Sequence, residues 1–468
     1  MSDHLTASLA ELHSVIGGRL LTAFEMETRP ARVPVGPIST DTRSLREGEV
    51  FWALEGPRFN GRDFTRVAFE RGARGVVVSG RVEVARGRWA IQVDDTYAAL
   101  RRLAAWNRAR FGGTVIAVTG SVGKSTTREM LHRVLGCRLS GTASPKNYNN
   151  RLGVPLSLLA VRPRHDYAVL ELGASAEGEI QSLAVLCEPN VGIITQIGDA
   201  HLGGFGSRQG IARAKGELLN ALPESGHAVL GDDPWLRHLA RKSRVPVTLV
   251  GVHSDCDLAA REVSFHAGRL RFSVREGRFD IPVWGRHHLT SALAAIAVAR
   301  LMGVSLNETA EALAEFEPLP MRCEVFQRRG ATIINDSYSA NPTAMRAAFE
   351  LLGTFDTHGK RIALLGEMAE LGDEAALLHR EVGRDAVVLG RADLVIACGE
   401  FACEMIAGAC EAGLHPSRTV ARDNLRECEP FVGQALVPGD VLLVKGSRAA
   451  EMERILDEIA EFPRRRIA

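Results

Sequence analysis

The stretch Thr114-Val115-Ile116-Ala117-Val118-Thr119-Gly120-Ser121-Val122-Gly123-Lys124-Ser125-Thr126-Thr127 decides how the rest of the chain is read. Residues 114–118 are an uninterrupted apolar run, the pattern of a strand buried inside a parallel sheet. Met130, Leu131, Val134 and Leu135 then follow at helical spacing. A glycine-bearing turn between a buried strand and a helix lets backbone N–H groups converge on phosphate oxygens. The helix N-terminus adds partial positive charge there. Gly120, Ser121, Val122 and Gly123 supply the turn, Lys124 would reach the outer phosphates, and Ser125 or Thr126 would offer a hydroxyl to Mg²⁺. Val118 stands where the full pattern has its first glycine, so the motif is the shortened Gly-x-x-Gly-Lys-Ser form. That short form also occurs on ordinary turns. The strand before it and the helix after it favour nucleotide phosphate, with ATP or a relative as substrate.

Outward from this loop, apolar strands are expected at residues 167–172, 191–195 and 228–230, most of them separated by helical patterns. That alternation is the grammar of a parallel sheet covered on both faces. A third block opens near Pro318-Leu319-Pro320 and repeats the grammar, with strands at 331–335, 362–365, 394–397 and 441–444. Before residue 110, short strands at 49–54, 75–78 and 89–93 alternate with turns. The expected fold is α/β in three domains: an N-terminal α/β domain (1–110), a central P-loop-type parallel-sheet domain (111–317) and a C-terminal Rossmann-like domain (318–468). The length of 468 residues agrees, because one hydrophobic core rarely grows past ~250–300 residues.

Hydrophobic residues make up 46% and charged residues 24%, too apolar for a disordered chain. Lys+Arg at 57 against Asp+Glu at 56 leaves a net charge of +1. That balance, with no basic stripe interleaved with aromatics, argues against a protein that coats nucleic acid or anionic membrane. No apolar run approaches the ~18 residues of a membrane span. Residues 1–20 carry Asp3, His4, Glu11 and His13 where a secretory leader would be apolar, and Leu5, Leu9, Leu12 and Ile16 form one helical face. A cytoplasmic location is expected. The eight cysteines contain no Cys-x-x-Cys pair, so reduced thiols are expected in place of disulfides or structural zinc. Arg464-Arg465-Arg466 reads as a solvated end.

In doubly wound sheets, ligands sit beyond the carboxyl ends of the strands. Glu171 is a lone carboxylate near the end of an apolar strand, costly to bury unless paired or bound to metal. Beside a phosphate loop it is a candidate Mg²⁺ ligand, with an arginine pair as the alternative. His201 follows the strand at 191–195 on the same rim, as a metal ligand or as a structural histidine. Lys215, in Ala214-Lys215-Gly216-Glu217, taken alone reads as a surface lysine.

Together these motifs resemble the Mur ligases, ATP-dependent amide-forming enzymes of peptidoglycan synthesis, over essentially the whole chain. Residues 120–127 are similar to the family's phosphate loop, and Asn147-Tyr148-Asn149-Asn150-Arg151-Leu152-Gly153 to the segment after it. Glu171-Leu172-Gly173-Ala174 is similar to its first metal site. The most specific stretch is Ile197-Gly198-Asp199-Ala200-His201-Leu202-Gly203-Gly204-Phe205-Gly206-Ser207 followed by Ala214-Lys215-Gly216-Glu217. Asp336-Ser337-Tyr338-Ser339-Ala340-Asn341-Pro342, Leu365-Gly366-Glu367-Met368-Ala369-Glu370-Leu371-Gly372 and Val444-Lys445-Gly446-Ser447-Arg448 resemble the branch that joins D-alanyl-D-alanine to UDP-N-acetylmuramoyl-tripeptide. Ser39-Thr40-Asp41-Thr42-Arg43 resembles its UDP-substrate domain.

The resemblance implies that ATP phosphorylates the tripeptide carboxylate and that the dipeptide amine attacks the acyl phosphate. It implies ATP contacts from Gly120, Ser121, Val122, Gly123, Lys124, Ser125, Thr126, His287, Arg322 and Asp336. Ser125, Glu171, His201 and Lys215 would hold two Mg²⁺ ions, Lys215 as a CO₂-derived carbamate, and Lys124, Lys215 and His201 would be catalytic. Thr40, Asp41, Arg43 and Asn149 would meet the UDP substrate, and Asn341, Lys445 and Ser447 the amine. A monomer working in cell-wall synthesis, and so in cell shape and division, is implied.

Some positions depart from the family pattern. Gly285-Arg286-His287-His288-Leu289-Thr290-Ser291 carries His288 and Ser291 where asparagines are usual, Asn335 replaces an aspartate, Ser339 and Gln196 replace asparagines, and Asn60 and Arg62 depart from the usual Phe-Asp-Gly-His. These bear on adenine recognition and on some substrate contacts. Two alternatives stay open: another Mur-like amide ligase, of folylpolyglutamate or cyanophycin type, or a catalytically silent Mur-like scaffold.

Overall fold

The computed structural model describes residues 7–23, 30–56, 59–458 and 465–466. Backbone compactness divides the chain into two units. The first comprises Met1–Val115, Leu139–Leu172 and Ser182–Glu188; the second comprises Ile116–Arg138, Gly173–Gln181 and Pro189–Ala468.

The first unit opens on a helix, Leu9–Ile16, started by a capping box in which Ser8 and Glu11 satisfy each other's backbone N–H. Leu9, Leu12 and Ile16 form its buried face; Leu5 lies outside the described residues. Five strands follow: β1 (Arg19–Thr22), β2 (Ile38–Ser39), β3 (Val50–Trp52), β4 (Gly75–Ser79) and β5 (Trp89–Val93). They assemble in the order β1-β5-β4-β3-β2, all parallel except β1. Phe51, Val76, Val78 and Ala90 form part of one buried cluster on this sheet. Asp95 caps helix Thr96–Ala109 by accepting from the Tyr97 and Ala98 N–H groups. Trp52 fixes the start of that helix by donating its indole N–H to Thr96 O at 2.8 Å. Farther along the same helix, Asn107 donates to Leu158 O and Val161 O, which satisfies the end of helix Gly153–Leu159.

Strand β6 (Thr114–Thr119) then carries the chain toward the phosphate loop. Strands β7 (Gly141–Ala143) and β8 (Tyr167–Glu171) pair in parallel in the first unit. In the second unit β9 (Val191–Ile194), β10 (His227–Gly231), β11 (Val247–Gly251) and β12 (Leu258–Ala259) join β6 in the parallel order β12-β11-β10-β9-β6. Helix Leu289–Leu301 is apolar nearly all round and has ten buried residues, as a helix enclosed within a core must be. It packs on helix Lys124–Gly136 and on β10 and β11.

An antiparallel meander unannounced by the sequence pattern lies between: β13 (Arg261–His266), β14 (Arg269–Val274) and β15 (Gly277–Ile281). Its turns take the left-handed backbone, through Ala267 and Gly268 and through Arg275. The last sheet comprises β16 (Glu324–Arg328), β17 (Ala331–Asp336), β18 (Arg361–Leu365), β19 (Leu394–Cys398), β20 (Thr419–Arg422), β21 (Val441–Lys445) and β22 (Arg465–Arg466) in the order β20-β19-β18-β21-β17-β16-β22. Its central strands are parallel, while β16 and β22 add antiparallel edges. Arg465–Arg466 therefore pairs its backbone with β16, where a free solvated end was expected. Among the described residues no helix is long and apolar enough to cross a membrane, and all eight cysteines are free thiols.

Candidate active site

The phosphate loop is built from the end of β6. Gly120 takes φ +143°, and a Cβ there would meet Thr195 Oγ1 at 2.0 Å; only glycine allows this approach. Gly123, at φ +83°, is the N-cap of helix Lys124–Gly136 and has no side-chain cap, so the start of that helix brings its partial positive charge to the loop. Ser121 Oγ bridges to the backbone of Gly198, and the Ser121 N–H donates to Gln196 O at 2.9 Å. Thr195 donates to Val122 O. Lys124 Nζ lies 2.8 Å from Gly120 O, folded over its own loop. Two of the residues that depart from the family pattern have local partners: Ser291 Oγ accepts from Thr127 Oγ1 at 2.9 Å, and Asn335 is held between Glu324 and Ser337.

The C-terminal sheet meets this loop within the second unit. Met321 and Cys323 are both left-handed, at φ 58° and 52°, an arrangement that costs on the order of 1 kcal/mol each and persists only where the surroundings impose it. The turn they make points Arg322 at the loop: its Nη2 donates to Ser125 Oγ at 3.0 Å, and its guanidinium lies 4.1 Å over the Tyr338 ring. Asp336, at the end of β17, accepts from the Cys323 N–H at 3.1 Å and pairs with the buried Lys445. Lys445 also donates to Ser339 O at 2.9 Å. It is thus held among oxygens inside the sheet, with Asp336 as its ion-pair partner.

On the facing rim His201, itself left-handed at φ 59°, pairs its Nδ1 with Glu370. Glu370 O also accepts from the Gly203 N–H at 3.0 Å. Beside it Gly203 and Gly372 touch backbone to backbone: a Cβ on Gly203 would lie 2.9 Å from Gly372 N. The Asp199 N–H donates to Thr343 Oγ1 at 3.1 Å. Lys215 is 1% exposed, with Nζ 3.3 Å from Ala174 O and 5.2 Å over the Phe205 ring. Burial, aided by the positive charge of Lys124, lowers its pKa to about 7. The sequence reading of a solvated surface lysine is therefore replaced by a buried amine that is partly neutral at neutral pH.

In the first unit Glu171 is 2% exposed and accepts from Asn149 Nδ2 at 2.8 Å. Asp41 and Arg43 form an exposed bidentate pair in the turn after β2, next to the half-buried Thr40. Asn341 caps helix Pro342–Thr354 by accepting from the Ala344 N–H at 2.9 Å. Ser447 Oγ is buried with no hydrogen-bond partner among the described residues.

Sequence reasoning assigned no role to Glu370, Thr343 or His379. Glu370 stands 169 positions from His201, so no spacing rule joins them. His379 accepts from the Met368 N–H at 2.9 Å and thereby shapes the loop that carries Glu370.

Comparison with known proteins shows the family. Residues 118–299 match the Mur ligase middle domain and residues 321–448 the Mur ligase glutamate ligase domain. The chain belongs to the Mur ligase family. It is similar to the UDP-N-acetylmuramoyl-tripeptide–D-alanyl-D-alanine ligase of Bacillus subtilis, 36% identical over 91% of this chain and 93% of that protein. The Escherichia coli ligase of the same name is 32% identical over 98% and 99%. Among solved structures, MurF from Acinetobacter baumannii aligns with a TM-score of 0.87 at 30% identity over 98% of this Mur ligase and 99% of that chain. MurF from Thermotoga maritima in complex with ADP aligns at 0.77 and 28% identity over 90% and 96%. The three-domain α/β architecture expected from the sequence is thus the fold of this Mur ligase.

Proposed function

We propose that this Mur ligase uses ATP to join D-alanyl-D-alanine to the terminal carboxylate of UDP-N-acetylmuramoyl-tripeptide, releasing ADP and phosphate, as a cytoplasmic monomer in peptidoglycan precursor synthesis. The observation that carries this is the meeting of the phosphate loop with the C-terminal arginine, Arg322 on Ser125. Nearly full-length similarity to ligases of that name supports the choice of substrates.

In this proposal residues 1–110 hold the UDP substrate, through Thr40, Asp41 and Arg43, with Asn149 contributing from beyond that domain. Residues 111–317 hold ATP, and residues 318–468 the amine. Residues 120–126 cradle the phosphates, with Arg322 opposite and His287 and Asp336 toward the nucleoside. Lys124 swings from Gly120 O onto the γ-phosphate and screens it from the attacking carboxylate. The carboxylate oxygen bonds to the γ-phosphorus as the bond to the ADP oxygen breaks. The dipeptide amine then adds to the acyl carbon, loses a proton, and phosphate leaves. Asn341, Lys445 and Ser447 line the amine side.

The donor set suits Mg²⁺ in part. Ser125 Oγ and the Glu171 carboxylate are hard oxygen ligands, and His201 offers Nε2 once Glu370 holds its Nδ1 proton. Mg²⁺, when bound, neutralises developing charge on the phosphates. An ammonium at Lys215 would not fit beside such an ion, whereas a carbamate would. The neutral Lys215 amine can add to CO₂ with loss of one proton, giving a negatively charged oxygen ligand.

The deciding assay measures phosphate release with ATP, Mg²⁺, UDP-N-acetylmuramoyl-tripeptide and D-alanyl-D-alanine. Release that requires both peptide substrates is expected. Nucleotide binding without release in any such mixture overturns the ligase reading in favour of a silent scaffold.

A further inference from the structure

His287, His288 and Cys323 place their ligand atoms within 4.8 Å of one another. His287 Nε2 lies 3.6 Å from Cys323 Sγ. With Zn–S of ~2.3 Å and Zn–N of ~2.0–2.1 Å, two ligands on a tetrahedral zinc are ~3.6 Å apart. The thiol and imidazole are thus already spaced as neighbouring ligands of one ion. The two imidazole rings lie 4.1 Å apart between centroids.

The backbone is shaped to produce this cluster. Gly285 takes φ +113°, and a Cβ there would strike the His287 ring at 2.3 Å. The left-handed Cys323 directs its thiol inward, where only 3% of the residue is exposed; His288 is 7% exposed and His287 keeps an open edge. One thiol and two imidazoles select zinc or a similarly soft divalent ion over Mg²⁺.

We propose that His287, His288 and Cys323 form a three-ligand site for zinc-class divalent ions, separate from the Mg²⁺ ligands and with a fourth position open toward the exposed edge of His287. Binding breaks the Cys323 S–H bond, forms a metal–thiolate bond and releases the proton to solvent. Cysteine spacing gives no sign of such a site, because His287 and Cys323 are 36 positions apart and meet only in the fold. Occupancy would engage His287, so a link to nucleotide binding rests on the function proposed above; the site itself does not.

The test titrates chelator-treated full-length protein with Co²⁺ as a spectroscopic probe, then with Zn²⁺. The expected result is one equivalent of Co²⁺ giving tetrahedral absorption and a thiolate-to-cobalt charge-transfer band, both erased by Zn²⁺. Cys323→Ser removes the charge-transfer band. His288→Asn, which restores the residue type usual in the family, weakens binding by about tenfold or more. Circular dichroism checks each fold, and His288→Asn decides alone if Cys323→Ser does not fold. Absence of the band in the parent protein, or a band undiminished in the folded variants, overturns the proposal.

Discussion

Lys215 is a base held where a cation is disfavoured. Unfolded, it binds a proton below its ordinary 10.5; folded, only below about 7. Between those values the unfolded state carries the extra proton, so the stability contributed at this position rises with pH by ~1.4 kcal/mol per unit. Below about 7 the penalty is complete. In CO₂-free buffer, Lys215→Met is therefore expected to be more stable than the parent at pH 7, with the gain shrinking toward pH 10, as urea titrations at several pH values would show. The same variant should lose ligation, and bicarbonate should raise turnover of the parent. Turnover retained in the variant, together with indifference of the parent to bicarbonate, would remove the carbamate from the mechanism. The resemblance to the family points to the carbamate, but the burial and lowered pKa are not legible in the sequence, where a lysine on a helix taken alone reads as solvated. Burial here depends on Phe205 and Ala174, which the fold brings to Nζ.

Among elements, the strands are the easiest to read, because a strand buried on both faces must be apolar throughout. Trp89–Val93 coincides with its expected bounds, and β6, β18, β19 and β21 extend theirs by one residue. The meander β13–β15 escapes such a reading: its alternating polar pattern and left-handed turns at Ala267 and Arg275 lack the usual turn residues, apart from Gly268 and Gly277. Helix Pro342–Thr354 shows how one residue can serve two readings. Asn341 caps it, and Asn341→Ala should cost about 1 kcal/mol by chemical denaturation. Asn341→Ser keeps a capping oxygen and should recover most of that loss. If the amine contact proposed for Asn341 is real, Asn341→Ser should still raise KM for D-alanyl-D-alanine; an unchanged KM leaves it a cap only.

Across the whole molecule, the phosphate loop is recognisable from its residues alone because they are contiguous in the chain. The pairs that complete the site are not: Arg322 with Ser125, His201 with Glu370, and His287 with Cys323 are each separated by long stretches of chain. Glu370 and His201 are both substantially exposed, so the hydrogen bond between them adds at most ~1 kcal/mol to stability. Its larger effect would be to fix which imidazole nitrogen is free. Glu370→Gln is expected to leave the thermal midpoint nearly unchanged while raising the Mg²⁺ concentration needed for half-maximal phosphate release by roughly 10–100-fold. An unchanged Mg²⁺ requirement would show that His201 needs no such orientation. Where Gly203 meets Gly372 the two loops leave no volume for a methyl group. Selection at Gly203 therefore acts on size, and at Gly372 on size and on its left-handed backbone at φ +64°. A library of random substitutions screened for growth should return only glycine there, although neither residue offers a side chain to any reactant.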